Sequence, residues 1–260
     1  MTAGAPGERA VVFGQAAQTY DRVRPDYPSE AIDHVLGLTP ITNAVEVGAG
    51  TGKATSGFAR QGLSIICVEP DPAMAGLLSD RGLPGVEVVV ARFEDWAGPG
   101  RPVDLVYAAQ AWHWVDRETS YQRAKEMLRP GGALALMWNV PVDRYGPFSE
   151  VYSAHAPELL KERDQRVVRR DSDTWLEDLS GAGFDRVGVF THEWTAELTA
   201  VDTRLLYSTY SDHIMLDAMV RHLLLDALEA FIDARGGTIR HAYRTQVFTG
   251  VNPGSLHPLL

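Results

Sequence analysis

Cysteine is almost missing: the 260-residue chain has one, Cys67. No disulfide can form within the chain, which points to a reducing, cytoplasmic setting. Cys67 lies in the apolar run Ile65-Ile66-Cys67-Val68, where a thiol is inert filling rather than a nucleophile. Positive charge is also in short supply. The 24 Lys and Arg stand against 34 Asp and Glu, for a formal net charge of -10. A general phosphate-backbone binder carries a basic face, so no nucleic-acid partner is expected. No apolar run reaches the roughly 18 residues of a membrane span, so no membrane partner is expected. Residues 1–9 lack the apolar heart of a signal peptide, and 1–12 read as a flexible tail ahead of a domain over 13–260. Cysteine clusters and close histidine pairs are missing too, so no metal is expected.

What is present is an α/β rhythm. Hydrophobic residues make up 45% and charged residues 22%, enough for a sizeable core in an ordered chain. Short apolar runs predict strands at Ala44–Val47, Ser64–Glu69, Val86–Ala91, Asp104–Ala108 and Ala133–Trp138. Helices are expected to start near Lys53, Pro72 and Arg117, the first two stopping close to Gly62 and Gly82. Runs apolar on both faces, alternating with helices, argue for a parallel sheet covered on both sides. The rhythm breaks over about 141–170, a polar stretch read as a helical insertion or cap. It resumes with Thr174–Leu179, a turn at Gly181–Phe184 and a strand near Arg186–Phe190. A helix over Ile214–Ala234 and a last strand over Tyr243–Gly250 follow.

The first strand runs into Gly48-Ala49-Gly50-Thr51-Gly52-Lys53. A strand that turns sharply into a helix lets a ligand approach bare backbone, and glycine removes the Cβ that would block it. A phosphate P-loop requires glycine five positions before the Gly-Lys pair, where Val47 stands, and Ser or Thr after it, where Ala54 stands. The dinucleotide pattern G-x-G-x-x-G puts its third glycine one residue later than Gly52. Glu69 ends the second strand, 17 residues after Gly52, where a carboxylate accepts ribose hydroxyls. That placement serves adenosine in more than one class of cofactor.

Glu46-x-Gly48-x-Gly50-x-Gly52 resembles the first motif of the class I S-adenosylmethionine-dependent methyltransferases. Tyr20-Asp21-x-x-Arg24-Pro25-x-Tyr27-Pro28 is similar to the small-molecule branch often described as methyltransferase type 11 or 25. The resemblance covers roughly Phe13 to Gly250. It implies a Rossmann-like seven-stranded, mostly parallel sheet with helices on both faces, an N-terminal lid and a helical insertion after the fifth strand. It also implies S-adenosylmethionine as cofactor. Glu46, Gly48, Ala49, Gly50, Thr51 and Gly52 would lie under the cofactor's amino-acid part and ribose. Glu69 would take the ribose, with Pro70 and Met74 on the adenine side, and Met74 would otherwise be core. Arg92, Phe93 and Glu94 would edge the adenine ring; the alternative is a core Phe93 and a capping Glu94. Tyr20 and Arg24 would hold the cofactor carboxylate, unless Arg24 binds a substrate anion or pairs with Asp21 or Glu30.

Gln110-Ala111-Trp112-His113-Trp114-Val115-Asp116 follows the fourth strand, beside the transferred methyl in this family. Gln110 joins the cofactor set. His113 is the candidate catalytic base, since imidazole titrates near neutrality; alternatively it holds the loop. Tyr27, Trp112, His113 and Trp138 are the candidate acceptor wall, and Trp114 is assigned to packing. Arg163, Arg166, Arg169 and Arg170 either bind an anionic substrate or form a solvated face. The expected activity is O-, N- or C-methylation of a small metabolite, by a monomer or homodimer. A nicotinamide-dependent oxidoreductase and a non-catalytic S-adenosylmethionine-binding protein are the alternatives.

Overall fold

Every residue from Ala44 to Val47 is at most 1% exposed, and pairing on both edges makes this run a central strand covered on both faces. It is the middle of β1 (Asn43–Val47). The computed structural model describes residues 17–160 and 172–254. β1 pairs in parallel with β2 (Ser64–Glu69) on one side and β4 (Val103–Ala109) on the other. β3 (Val86–Val90) and β5 (Leu128–Pro141) extend the parallel part. β7 (Thr238–Val251) runs antiparallel to both β5 and β6 (Asp185–Thr199). The strand order is β3-β2-β1-β4-β5-β7-β6, a seven-stranded mixed sheet.

Helices cover both faces. α1 (Ala17–Val23), α2 (Ser29–Leu36), α3 (Thr55–Ala59) and α4 (Pro72–Asp80) precede β3, and α5 (Arg117–Met127) follows β4. Alternate residues of a strand point to opposite faces. Val45 and Val47 therefore enter one core, with Tyr121 of α5 and Leu179. Ala44, Leu105 and Tyr107 enter the other, with Val35 of α2, Phe58 of α3 and Leu78 of α4. Asp71 caps α4 by accepting from Ala73 N at 2.8 Å and Met74 N at 3.1 Å.

The cap differs from the expected single insertion. α6 (Ser149–His155) does lie after β5, and α7 (Ser172–Gly181) returns to the sheet. The β6–β7 connection contributes α8 (Ala200–Ser208), α9 (Ser211–Ile214) and α10 (Ala218–Asp233). Phe148, Tyr152, Leu206, Tyr207, Leu224 and Leu228 bury one another in a third core, so the cap is built from two segments of chain. The single helix expected over 214–234 is broken because Asp217 caps a fresh start, accepting from Met219 N at 2.9 Å. The tail at 1–12 and the arginines at 163, 166, 169 and 170 lie outside the described residues. Among the described residues, no helix is long and apolar enough to cross a membrane.

Candidate functional site

At the end of β1 the amides of Gly48 and Ala49 both donate to Val68 O, at 2.8 and 3.3 Å, and the chain turns. Gly48, Gly50 and Gly52 hold φ of +65°, +57° and +88°, which side chains rarely adopt. Their neighbours separate their roles. A Cβ on Gly48 would sit 2.5 Å from Ala111 Cβ, and one on Gly52 would run into Leu78. A Cβ on Gly50 would meet only Met74 Sδ, at 3.9 Å, and would otherwise project into open space. Gly48 and Gly52 keep the turn packed, and Gly50 keeps it open to a ligand. Gly52 does not line the cavity described below, contrary to the expectation.

Two carboxylates brace this turn. Glu69 Oε2 accepts from Gly50 N at 2.8 Å and Oε1 accepts from Asp71 N at 2.9 Å. Burial raises the Glu69 carboxyl above its ordinary range, and those two amides oppose the rise. Glu46 points to the opposite face of β1 from Val45 and Val47. Its Oε2 accepts from Thr55 Oγ1 at 2.5 Å and Tyr107 Oη at 2.7 Å. Burial lifts Glu46 from 4.5 to about 7 despite bonds from Thr55, Tyr107 and Cys67. Cys67 is buried and its thiol is pushed far up by burial, in keeping with an inert filler.

The loop after β4 forms the facing wall. Gln110 takes φ +59° and donates from Nε2 to Asn139 O at 2.7 Å, tying β4 to β5. A 3-10 turn over Trp112–Trp114 then sends Trp112 away from its two neighbours. Trp112 goes inward, 2% exposed, against Phe93 and Tyr121 at ring separations of 5.9 and 5.2 Å. His113 and Trp114 line the cavity. Trp112 is therefore core rather than acceptor wall, and Trp114 is wall rather than packing. Trp138 is likewise behind the wall: it stacks on Trp175 at 4.6 Å and is 6% exposed. Its Nε1 donates to His113 Nδ1 at 3.4 Å. That contact engages the Nδ1 side of the ring and ties His113 to the aromatic stack behind the wall. Glu94 accepts from Asp116 N at 3.0 Å and joins the β3 turn to this loop.

The N-terminal segment crosses from sheet to cap. Asp21 pairs with Arg81, just after α4, and Asp26 with Lys53 at 3.3 Å. Arg24 pairs with neither Asp21 nor Glu30. It donates to Thr209 Oγ1 at 2.9 Å and Thr209 O at 3.0 Å, with its guanidinium 4.3 Å from the Tyr210 ring centre. Tyr20, Arg24 and Tyr27 line one cavity of about 420 Å³ with Glu46, Gly48–Thr51, Glu69, Pro70, Met74 and Arg92–Glu94. Gln110 and His113 line it as well. The volume suits a small-molecule site.

Several lining residues escaped the sequence reading: Lys53, Asn139, Arg144, Tyr210, Asp212 and Tyr243. The last four come from the cap and its junctions with β5 and β7. The aromatic spacing Tyr207-x-x-Tyr210-x-x-His213 was the available signal.

The family model described as "Methyltransferase domain" matches residues 45–136. An uncharacterized methyltransferase of Mycobacterium tuberculosis is 32% identical over 226 residues, 86% of this chain and 87% of that one. A protein of Anaeromyxobacter dehalogenans, provisionally classed as a type II methyltransferase, shares the fold at a TM-score of 0.60. It is 21% identical and matches over 88% of this chain and 98% of that one. Phosphoethanolamine N-methyltransferase 2 of Haemonchus contortus, solved with phosphomonomethylethanolamine and S-adenosylhomocysteine, has a TM-score of 0.56 at 14% identity. The match covers 92% of this chain and 57% of that one.

Proposed function

The chain belongs to the methyltransferase family of its mycobacterial relative, and on that premise we propose that it methylates a small molecule with S-adenosylmethionine. The observation that carries this reading is the Gly50 position: a backbone cradle where a Cβ would meet open space, braced by the Glu69 carboxylate. Thr51 adds a buried hydroxyl with no hydrogen-bond partner among the described residues.

When bound, S-adenosylmethionine supplies a methyl group on a positively charged sulfur. The chain's residues bind and align. The Gly48–Thr51 backbone approaches the amino-acid part and ribose. The free lone pairs of Glu69 accept from the ribose hydroxyls. Phe93, Glu94 and Met74 flank the base. Arg24, with Nη1 unspent among the described residues, and Tyr20 hold the carboxylate. His113, Trp114, Tyr27 and Gln110 form the wall past which the acceptor enters. In-line displacement gains most from such alignment and from exclusion of water. His113 serves as a positioning residue of the acceptor wall, held from behind by the Trp138 contact at its Nδ1.

The test incubates the protein with S-adenosylmethionine and pools of small metabolites, and reads the mass gain of one methylene on an acceptor. We expect a product within small-molecule pools. Methylation of protein or nucleic acid alone would contradict the reading.

A further inference from the structure

Arg144 stands just beyond β5 and lines the cavity, facing the cap rather than the glycine loop. The strand order puts β5 three strands from β2 and its Glu69, so Arg144 belongs to the acceptor end. Its guanidinium lies 3.7 Å from the Tyr210 ring centre and 5.0 Å from that of Tyr145. Nη2 donates to Asp212 Oδ1 at 2.6 Å. Nε is buried with no partner, and no hydrogen bond from Nη1 is found among the described residues.

The surroundings hold that guanidinium rigidly. Asp212 also accepts from Tyr145 Oη at 3.0 Å and from His213 N at 3.0 Å. The His213 ring bridges Asp212 Oδ1, 2.8 Å from Nδ1, and Tyr152 Oη, 2.8 Å from Nε2. Burial would raise the Asp212 carboxyl, yet the His213 ring and Arg144 hold it far below its ordinary range. Burial keeps His213 neutral, so it balances no charge here. Arg24 and Arg144 thus bring two cations to Tyr210, and among the described residues Asp212 is the carboxylate that pairs with Arg144. Asp212 answers the Arg144 charge from one side only, and a buried guanidinium N–H left without an acceptor is costly, so the site is suited to a ligand that brings one.

We propose that Arg144 is a specificity-determining residue that anchors a carboxylate of the methyl acceptor, making the substrate a small organic acid. This rests on the methyltransferase reading above, in which the cofactor's own carboxylate answers Arg24. The spare donors of Arg144 then remain for the acceptor. An arginine fork suits a planar carboxylate. A doubly charged phosphate would sit too close to the Asp212 anion to be favoured.

The experiment is calorimetry on protein saturated with S-adenosylhomocysteine, titrated with benzoate, succinate, citrate, benzamide and inorganic phosphate. We expect at least one carboxylate to bind, and benzamide not to. Arg144→Gln alone would strand Asp212, so the double variant Arg144→Gln/Asp212→Asn removes both charges, with its melting transition as the check on folding. Carboxylate affinity should fall at least about tenfold in it, the loss of one charge-assisted bond, with S-adenosylhomocysteine affinity within about twofold of wild type. Arg144→Lys keeps the charge and loses the fork, so it should also weaken the acid should the double variant unfold. The proposal is overturned if no carboxylate binds, if phosphate outcompetes every acid, or if the variants bind the acid unchanged. A parallel loss of S-adenosylhomocysteine affinity overturns it too, by giving Arg144 to the cofactor. A wild type that fails to bind S-adenosylhomocysteine would instead remove the methyltransferase reading itself.

Discussion

Tyr107 of β4 donates to the Glu46 carboxylate of β1 at 2.7 Å, beneath the glycine loop and wholly out of water. Burial lifts Glu46 from 4.5 to about 7, so the folded chain holds a proton there that the unfolded chain releases near 4.5. Stability should therefore fall as pH rises from about 4.5 to 7, by about 3 kcal/mol in total, and level off above. Urea unfolding of wild type and Glu46→Gln across pH 5 to 8 reads this. We expect the Gln variant to gain on wild type as pH rises; parallel profiles would show that Glu46 does not titrate in this window.

Gly48 and Gly50 should respond differently to one added methyl. Gly48→Ala drives a Cβ into Ala111, so it should cost about 2 kcal/mol or more and lower the melting temperature. Gly50→Ala meets no such obstacle, and its strain at φ +57° should cost only about 1 kcal/mol. Its methyl would instead occupy the ligand's approach, and affinity for S-adenosylhomocysteine should drop at least about tenfold. Equal affinities for wild type and Gly50→Ala would deny the loop its binding role.

The strands that carry this loop were legible because β1, β2 and β4 are buried on both faces, and burial on both faces writes a continuous apolar run. The long hairpin was legible only in part. Alternate residues of β6 up to Thr199 face water, and the outer half of β7 from Thr238 alternates too, so Glu193, Glu197, Arg240 and Arg244 interrupt any run. The cap was hidden for another reason. Its core joins Phe148 and Tyr152 to Leu206, Tyr207 and Leu224, and neither half shows a pattern that names its partner. Arg144 and Asp212 are brought together by that packing, 68 residues apart in sequence, and no spacing rule reaches so far. Trp112 and Trp138 were misplaced because an aromatic near a strand end can turn into the core or out of it. The turn after Gln110 and the stacking on Trp175 decide this.

His113→Ala should reduce turnover of the identified acceptor by less than about tenfold and leave S-adenosylhomocysteine affinity unchanged. This follows from the proposed positioning role, in which Trp138 Nε1 engages His113 Nδ1 and the ring steadies the wall. General bases contribute about a hundredfold or more, so a loss of that size in kcat would restore His113 as the base.

The most direct test is calorimetric titration of S-adenosylhomocysteine into the wild-type protein and into Glu69→Gln. We expect micromolar binding to the wild type. Replacing the carboxylate that accepts from Gly50 N should weaken it about tenfold to a hundredfold, the usual cost of losing a charged acceptor. No heat with the wild type at millimolar ligand, or an affinity that Glu69→Gln leaves intact, would contradict the assignment of this cavity to S-adenosylmethionine.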